Sequence, residues 1–530
     1  MPVNYTRPEG PALGDFSDIL AYVRERLSVP VTIPQPFADA ADTTIFRQAV
    51  SKGESLLPLR YQPPYVEILA GTLKLAEDQL TQIQTHTGWR KKARRQAVLD
   101  KLSEVFATLA APIVQLSSRA HETELKAYLA LASNLYQRFL SDPKIARLNR
   151  AEVAFPQLDP LGFFTEPTSN TEPGIWSPSH ELPVALVSKP ANQMNCLPLW
   201  VIDGHEVGGH GIYAHLAGFE SEIAAALAKA SELKTTSAAF NPKVKFINGH
   251  LIDLVAPATT LKELAVGEFY KHIVRAYSQE LSADIAGVLN LGPMFVNGLI
   301  VYLAGRRRDQ QLSHTSPLVE KQRLNAYPSD ILRALVAIEA LRHLDLKNGE
   351  KWRNLLHGRL LTACGGKLAD HFSFVGEQGI FKITIPSEDI VALVPTIADA
   401  LLNSKLPCLA DRSLREVLTW SELDETLVET ISHRLSKPDY QIDDLNDVEA
   451  RHICAAALQA IERIVGTNRA KSLATRIHKN GLASLKSFYL EQCILCAITT
   501  YSKTKRGNND LHLWDRPDLL KRLRNFNSSH

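Results

Sequence analysis

Hydrophobic residues recur at helical spacing along much of this chain. The first such run, at 15–27, repeats apolar positions every three or four residues, and comparable runs follow at 67–84 and 122–148. Prolines separate the first two runs, where a helix would end. We therefore predict an amino-terminal helical region over residues 1–150.

The pattern changes in the middle of the chain. Prolines are frequent and periodicity is weak over 155–198, apart from a short strand candidate at 184–187, which indicates an extended connection. Small and apolar residues then predict buried helices within 200–230 and over 261–291. Together these segments form a predicted central region, 151–345.

Helical patterns also dominate the rest of the chain. One strand is predicted at 381–385, a helix at 387–402, and further helices up to about residue 505. These segments make a carboxy-terminal helical region, 346–530. The predicted fold is mainly α-helical with a few short strands, and two helical lobes flank a metal-site cleft.

Composition narrows the class of protein. Of 530 residues, 45% are hydrophobic and 22% charged, which is ordinary for a soluble globular protein, and the net charge of +2 provides no strong field for nucleic acid or membrane surfaces. The amino terminus lacks a secretory pattern, and six cysteines fit reduced thiols. We expect a cytoplasmic protein with no nucleic-acid or membrane partner.

A basic cluster at 90–95 leaves two interpretations open. Its five Lys and Arg residues would suit contact with phosphate or a localisation signal. The apolar stripe that continues behind it favours the solvated face of a helix. The pair Cys493 and Cys496 is similarly interpreted as buried thiols, because no second pair completes a zinc site.

The most informative stretch is His205-Glu206-Val207-Gly208-Gly209-His210. At this chain's own residue frequencies, a His-acid-x-x-Gly-His pattern arises by chance about 0.003 times per chain. Two neutral imidazoles suit Zn²⁺, and an adjacent carboxylate can take a proton from water. We therefore predict that His205 and His210 bind a metal and that Glu206 is a catalytic base; ordinary packing histidines are the alternative.

The spacing of the two histidines imposes a structural condition. Residues five apart lie roughly 140° apart on a regular helix, so His205 and His210 could not share one metal. A π-bulge over Val207–Gly209 would return both to one face, and Gly208 and Gly209 would accept its unusual dihedral angles. The sequence therefore predicts a bulged helix at this motif.

A third ligand is expected on the helix predicted at 261–291. Glu280 and Asp284 lie four residues apart on one face, so Glu280 can bind the metal while Asp284 orients a ligand His. The small, apolar neighbours indicate a buried helix, where an unpaired carboxylate is costly. A salt-bridged acid pair is the alternative, since such pairs are common.

Segment 205–210 resembles the HExxGH motif of the dipeptidyl peptidase III family of zinc metallopeptidases. Glu280 and Asp284 are similar to the downstream acids of that family and of thermolysin-like and neprilysin-like gluzincins. The resemblance implies one zinc ion held by both histidines and Glu280, with Asp284 supporting a ligand. Gln279 and Ser282 stand where that family usually has a Glu and a basic residue.

Hydrolysis also needs a group that stabilises the oxyanion of the tetrahedral intermediate. Tyr, His and Arg side chains can donate to it. The possible transition-state or substrate contacts in this chain are His250, Tyr270, His272, His314, Tyr327 and Arg333.

The predicted function is a zinc-dependent metallopeptidase that hydrolyses a peptide or amide bond with water activated by the metal and Glu206. Two alternatives remain. A non-hydrolytic iron enzyme of the oxygenase type would use the same two His and one carboxylate. A helical interaction protein with a vestigial metal site is the other.

Overall fold

The computed structural model confirms a mainly α-helical protein with short strands in small sheets. It describes residues 11–33, 37, 40–56, 65–85, 87–118, 120–140, 161–165, 174–176, 185–243, 246–249, 262–319, 323–324, 327–375, 382–442 and 444–505. The predicted pair of lobes around a cleft stays a prediction.

The helices follow one another along the chain with few strands between them. They are α1 Phe16–Leu27, α2 Thr44–Leu56, α3 Glu67–Ile83, α4 Gly88–Leu109, α5 Ala111–Ser118, α6 Glu122–Leu140, α7 Asp203–His205, α8 Gly211–His215, α9 Phe219–Thr235, α10 Val266–Ala276, α11 Ser278–Gly305, α12 Asp330–Ala340, α13 Gly349–Ala363, α14 Ser387–Val391, α15 Val394–Asn403, α16 Leu414–Val417, α17 Glu422–Leu435, α18 Ala450–Glu462 and α19 Ala470–Lys505.

The strands form three small sheets. They are β1 Leu161–Thr165, β2 Gly174–Trp176, β3 Leu186–Pro190, β4 Phe246–Gly249, β5 Lys262–Ala265, β6 Thr315–Val319, β7 Arg323–Leu324, β8 His371–Val375 and β9 Lys382–Pro386. In the first sheet, β3 lies between β1, which is parallel to it, and antiparallel β2. The β4–β5 hairpin is the second sheet, and the third has the order β7-β6-β8-β9.

The chain divides into two compact units, Met1–Gln35 with Ser118–Lys486, and Pro36–Ser117 with Ser487–His530. In the second unit, the rings of Phe37, Phe46 and Phe106 pack together with centroids 5.1–5.7 Å apart. The division into three regions at about residues 150 and 345 stays a prediction.

Helix α11 is the central helix of the first unit. Nearly all of its side chains are buried, and it contacts α12, α18 and the segment that carries the histidine motif. By length and composition it could cross a membrane, with a mean hydropathy of 1.6, but 94% of its most apolar window is buried in the protein. Its apolar character therefore matches its place in the core.

Several predicted elements differ in their bounds. The predicted helix 261–291 is wrong at its start, because β5 occupies Lys262–Ala265 and pairs with β4. The extended connection contains β1 and β2, and β3 begins two residues after the predicted strand start. These strands are short and pair with other segments, and tertiary pairing decides such segments more than local periodicity does.

Helix α11 is interrupted at Gly292. Gly292 has φ 59° and ψ −145°, a backbone conformation open almost only to glycine, and it divides α11 into two helical parts. The indole of Trp420 covers this position: a Cβ added to Gly292 would lie 2.3 Å from Trp420 Nε1. The break is therefore fixed by backbone conformation and packing together.

We expect Gly292→Ala to lower the free energy of unfolding by about 3 kcal/mol, because it adds both backbone strain and a clash with Trp420. Denaturant unfolding would measure the change. Gly358→Ala is the matched control. Gly358 is an exposed residue within a helix, and a Cβ added there would meet no atom within 4 Å. Because alanine favours helix more than glycine does, the free energy of unfolding should rise by up to about 1 kcal/mol. Equal stability of the two variants would contradict this explanation.

Candidate metal centre

The predicted bulge in the histidine motif is present. Residues Glu206–His210 form a π-helical turn between α7 and α8, and we call this continuous stretch, 203–215, the motif helix. The wider turn brings His205 and His210 to one face, with their Nε2 atoms 3.1 Å apart. The two imidazoles are therefore close enough to share one ion.

The glycines of the motif have a different role from the predicted one. None of Gly204, Gly208 and Gly209 has a positive φ, so unusual dihedral angles do not explain them. A Cβ on Gly209 would lie 2.5 Å from Ala283 Cα. Glycine is required here because the motif helix and α11 approach each other backbone to backbone.

Glu280 completes the predicted ligand set. Its carboxylate oxygens lie 3.4 Å from His205 Nε2 and 3.5 Å from His210 Nε2. One donor atom from each of the three residues lies within 4.8 Å of the others, and the group is largely buried. Tetrahedral ligands around zinc are separated by about 3.3 Å, so these spacings fit a metal ion.

Asp284 contacts His205, a contact that its four-residue spacing from Glu280 predicted. The Nδ1 atom of His205 lies 2.8 Å from Asp284 Oδ1, while its Nε2 faces Glu280. Such a carboxylate fixes the tautomer and the orientation of an imidazole ligand. Both Asp284 and His205 are buried, so the contact is shielded from water.

Arg333 joins this network from α12. Its Nε and Nη2 atoms each donate to Asp284 at 2.8 Å, and Nη1 lies 3.5 Å from Glu280 Oε2. Burial opposes ionisation of Asp284, but the guanidinium outweighs burial and holds the pKa of Asp284 below its usual range. Arg333 thus compensates two buried carboxylates beside the histidines.

Burial and neighbouring charges perturb the other groups of the centre. Burial opposes protonation of His205, but the carboxylates of Asp284 and Glu280 together outweigh it and raise the pKa of His205 to about 10. Burial also opposes ionisation of Glu280, yet hydrogen bonding with both imidazoles holds its pKa well below the usual range. Burial raises the pKa of Glu206, which interacts with His205, His210 and Glu280.

The predicted oxyanion contacts lie in varied surroundings. Of these, Arg333 contacts the ligand network directly. Tyr270 is buried, with its ring near Phe240 and Phe269, and His272 on the same helix is half-buried. His314 and Tyr327 are exposed, and His250 lies outside the described residues. Their roles in catalysis stay predictions.

Sequence reasoning missed Tyr213. This residue follows His210 by three positions on the motif helix, and its ring centroid lies 6.2 Å from that of His210. Its hydroxyl donates to Ser278 O at 3.1 Å and shares a hydrogen bond with Ser282 Oγ, both on α11. The i+3 spacing from a ligand was the signal that could have identified it.

No protein-family model, curated protein or solved structure matches this chain. The site is therefore interpreted from its own geometry and chemistry.

We expect Zn²⁺ binding to release protons. His205, with a pKa of about 10, is protonated at pH 7 in the metal-free protein, whereas a ligand imidazole must be neutral. Calorimetry at pH 7 in buffers of different ionisation enthalpy should therefore report release of about one proton per ion bound. Asp284→Asn removes the charge that raises this pKa and should reduce the release. If the enthalpy of Zn²⁺ binding to the parent protein did not depend on the buffer, the prediction would be wrong.

Proposed function

We propose that this protein is a zinc-dependent metallopeptidase that hydrolyses a peptide or amide bond. The observation that carries the proposal is the convergence of His205, His210 and Glu280, with Glu206 beside them. Two imidazoles and one carboxylate leave a fourth position free on a tetrahedral ion, as catalytic zinc sites do. The resemblance of the motif to HExxGH peptidases supports the same function.

The charges of the centre support a divalent cation. Glu206, Glu280 and Asp284 supply three carboxyl groups, and Arg333 supplies one guanidinium. With all three carboxylates ionised and both imidazoles neutral, these groups carry two net negative charges. Uncompensated buried charge is costly. A dication would neutralise this excess, whereas a protonated His205 offsets only half of it.

Glu206 is the proposed general base. Its carboxylate accepts a proton from the attacking water and passes it to the leaving amine nitrogen, while His205, His210 and Glu280 hold the ion. When bound, zinc supplies Lewis acidity that polarises the carbonyl and lowers the pKa of water. The raised pKa of Glu206 makes it a stronger base than an exposed carboxylate, which suits proton transfer near neutral pH.

An iron enzyme of the oxygenase type is the main alternative, because it would use the same three ligands. Glu206 favours hydrolysis, since a carboxylate that interacts with both ligand imidazoles is the group that a water-activating site requires. A vestigial site in an interaction protein would not need this half-buried carboxylate. We also propose that the substrate is a peptide or amide and that the protein is cytoplasmic.

Glu206→Gln tests the mechanism. Glutamine keeps the size of the side chain but cannot accept the proton of water, so we expect zinc to remain bound and hydrolysis to fall by at least about 10³-fold. A mixed peptide library with mass-spectrometric detection would identify cleavage by the parent protein first. Glu220→Gln, an exposed acid on α9, is the control and should cleave at the parent's rate. Parent-like cleavage by Glu206→Gln would rule out the proposed base.

Metal content tests the ligand set. Protein purified without added metal should contain about one zinc per chain by elemental analysis. His210→Ala should lose most of it, because the side chain removed is one of three ligands. Stoichiometric iron in place of zinc would favour the oxygenase alternative, and a metal-free parent that also fails to bind added Zn²⁺ would refute the proposal.

A further inference from the structure

A fully buried ion pair lies at the start of the motif helix. Lys189 of β3 and Asp203 have no exposed side-chain surface, and Lys189 Nζ lies 2.8 Å from Asp203 Oδ2. The ammonium also donates to Gln193 Oε1 at 3.3 Å and lies 5.5 Å from the ring centroid of Tyr128. The pair therefore links β3 to the first residue of the helix that carries both histidines.

Fold stability alone does not account for this pair. Removing two charges from water is costly, and apolar side chains of similar volume are often as stable or more stable in such positions. An ion pair differs from apolar packing because a displacement that separates its two groups leaves buried charges unpaired. Lys189 and Asp203 are thus better suited to fixing a geometry than to adding stability.

The metal centre depends on such a fixed geometry. A shift of one residue along a helix moves it by about 1.5 Å and rotates it by about 100°, which would separate His205 from Asp284. At the π-helical turn the closest backbone approach to α11 is between small residues, Gly209 and Ala283, while Gly208 faces the side chain of Asn290. Small residues interlock less than large ones, so this contact restrains sliding weakly.

We propose that Lys189 and Asp203 are positioning residues of the metal centre. Their ion pair sets the register and rotation of the motif helix, so that the imidazoles of His205 and His210 meet Glu280. Both residues act through the ligands rather than on the substrate. The inference rests on the proposed metal function.

The double variant Lys189→Met/Asp203→Val tests this role, because it removes both charges and leaves neither unpaired. We expect its denaturation midpoint to equal or exceed that of the parent, and its zinc dissociation constant, measured by chelator competition, to rise about 10–100-fold. The visible absorption spectrum of the Co²⁺-loaded protein should also change. A merely structural role would move the midpoint and leave the spectrum intact.

A second variant covers the case in which the double variant does not fold. Asp203→Glu keeps both charges but lengthens the pair by one methylene, so we expect about tenfold weaker zinc binding in a folded protein. Arg359→Met/Glu462→Gln is the control, because it removes an equally buried pair, 2.6 Å apart, elsewhere in the first unit. This control should keep the parent's zinc affinity and Co²⁺ spectrum.

The outcomes separate the two proposals. A parent that binds no zinc overturns both the proposed function and this inference. The inference alone is overturned if the parent binds one zinc and cleaves peptides while every folded variant of Lys189 and Asp203 keeps the parent's zinc affinity and Co²⁺ spectrum. Equal losses of affinity in the Arg359 control would also overturn it, because the effect would then follow from any lost buried pair.

Discussion

The candidate centre depends on the close approach of two helix backbones. His205 and His210 belong to the motif helix and Glu280 belongs to α11, so the three side chains meet only if these helices are nearly in contact. Gly209 against Ala283 and Gly204 against Gly287 permit that approach, since a Cβ at either glycine would lie within 3.1 Å of the facing Cα. Small residues at this crossing are therefore a condition for the ligand geometry.

Buried charge is the second constraint on the centre. Asp284 and Glu280 have little contact with water, and Arg333 is the cation that reaches both. Because Arg333 comes from α12, the charge balance joins a third helix to the two that supply ligands. A buried carboxylate that orients a histidine therefore requires tertiary structure well beyond the motif, which explains why the motif alone does not specify the site.

The sequence predicted which side chains meet at the candidate centre more reliably than the reasons for their neighbours. Local spacing sufficed for the π-helical turn, because five-residue spacing on a regular helix is incompatible with one metal, and for Asp284, because four-residue spacing puts it on the face of Glu280. It assigned the glycines to backbone freedom, although packing against α11 is what requires them. The place of Arg333 depends on contacts across more than 40 residues, which periodicity does not encode.

Strand content was the weakest part of the prediction for a related reason. Segment Lys262–Ala265 consists of good helix formers, and its pairing with Phe246–Gly249 overrides that preference. Helices were predicted well where an amphipathic stripe was present, as in the run at 15–27, which is observed as Phe16–Leu27. Local signals thus located the elements, while the pairing of short strands required the folded context.

Both ligand-bearing helices are irregular, and tertiary contacts fix each irregularity. The motif helix follows a 3₁₀ segment, Leu197–Ile202, and contains the π-helical turn. Helix α11 breaks at Gly292, where Trp420 packs and Arg451 donates to Asn290 O at 3.0 Å. Irregular turns are less stable than α-helix in isolation. One irregular turn thus lies in the helix of the two histidines and one in the helix of Glu280. We conclude that the surrounding fold enforces a local geometry that the helices alone would not adopt.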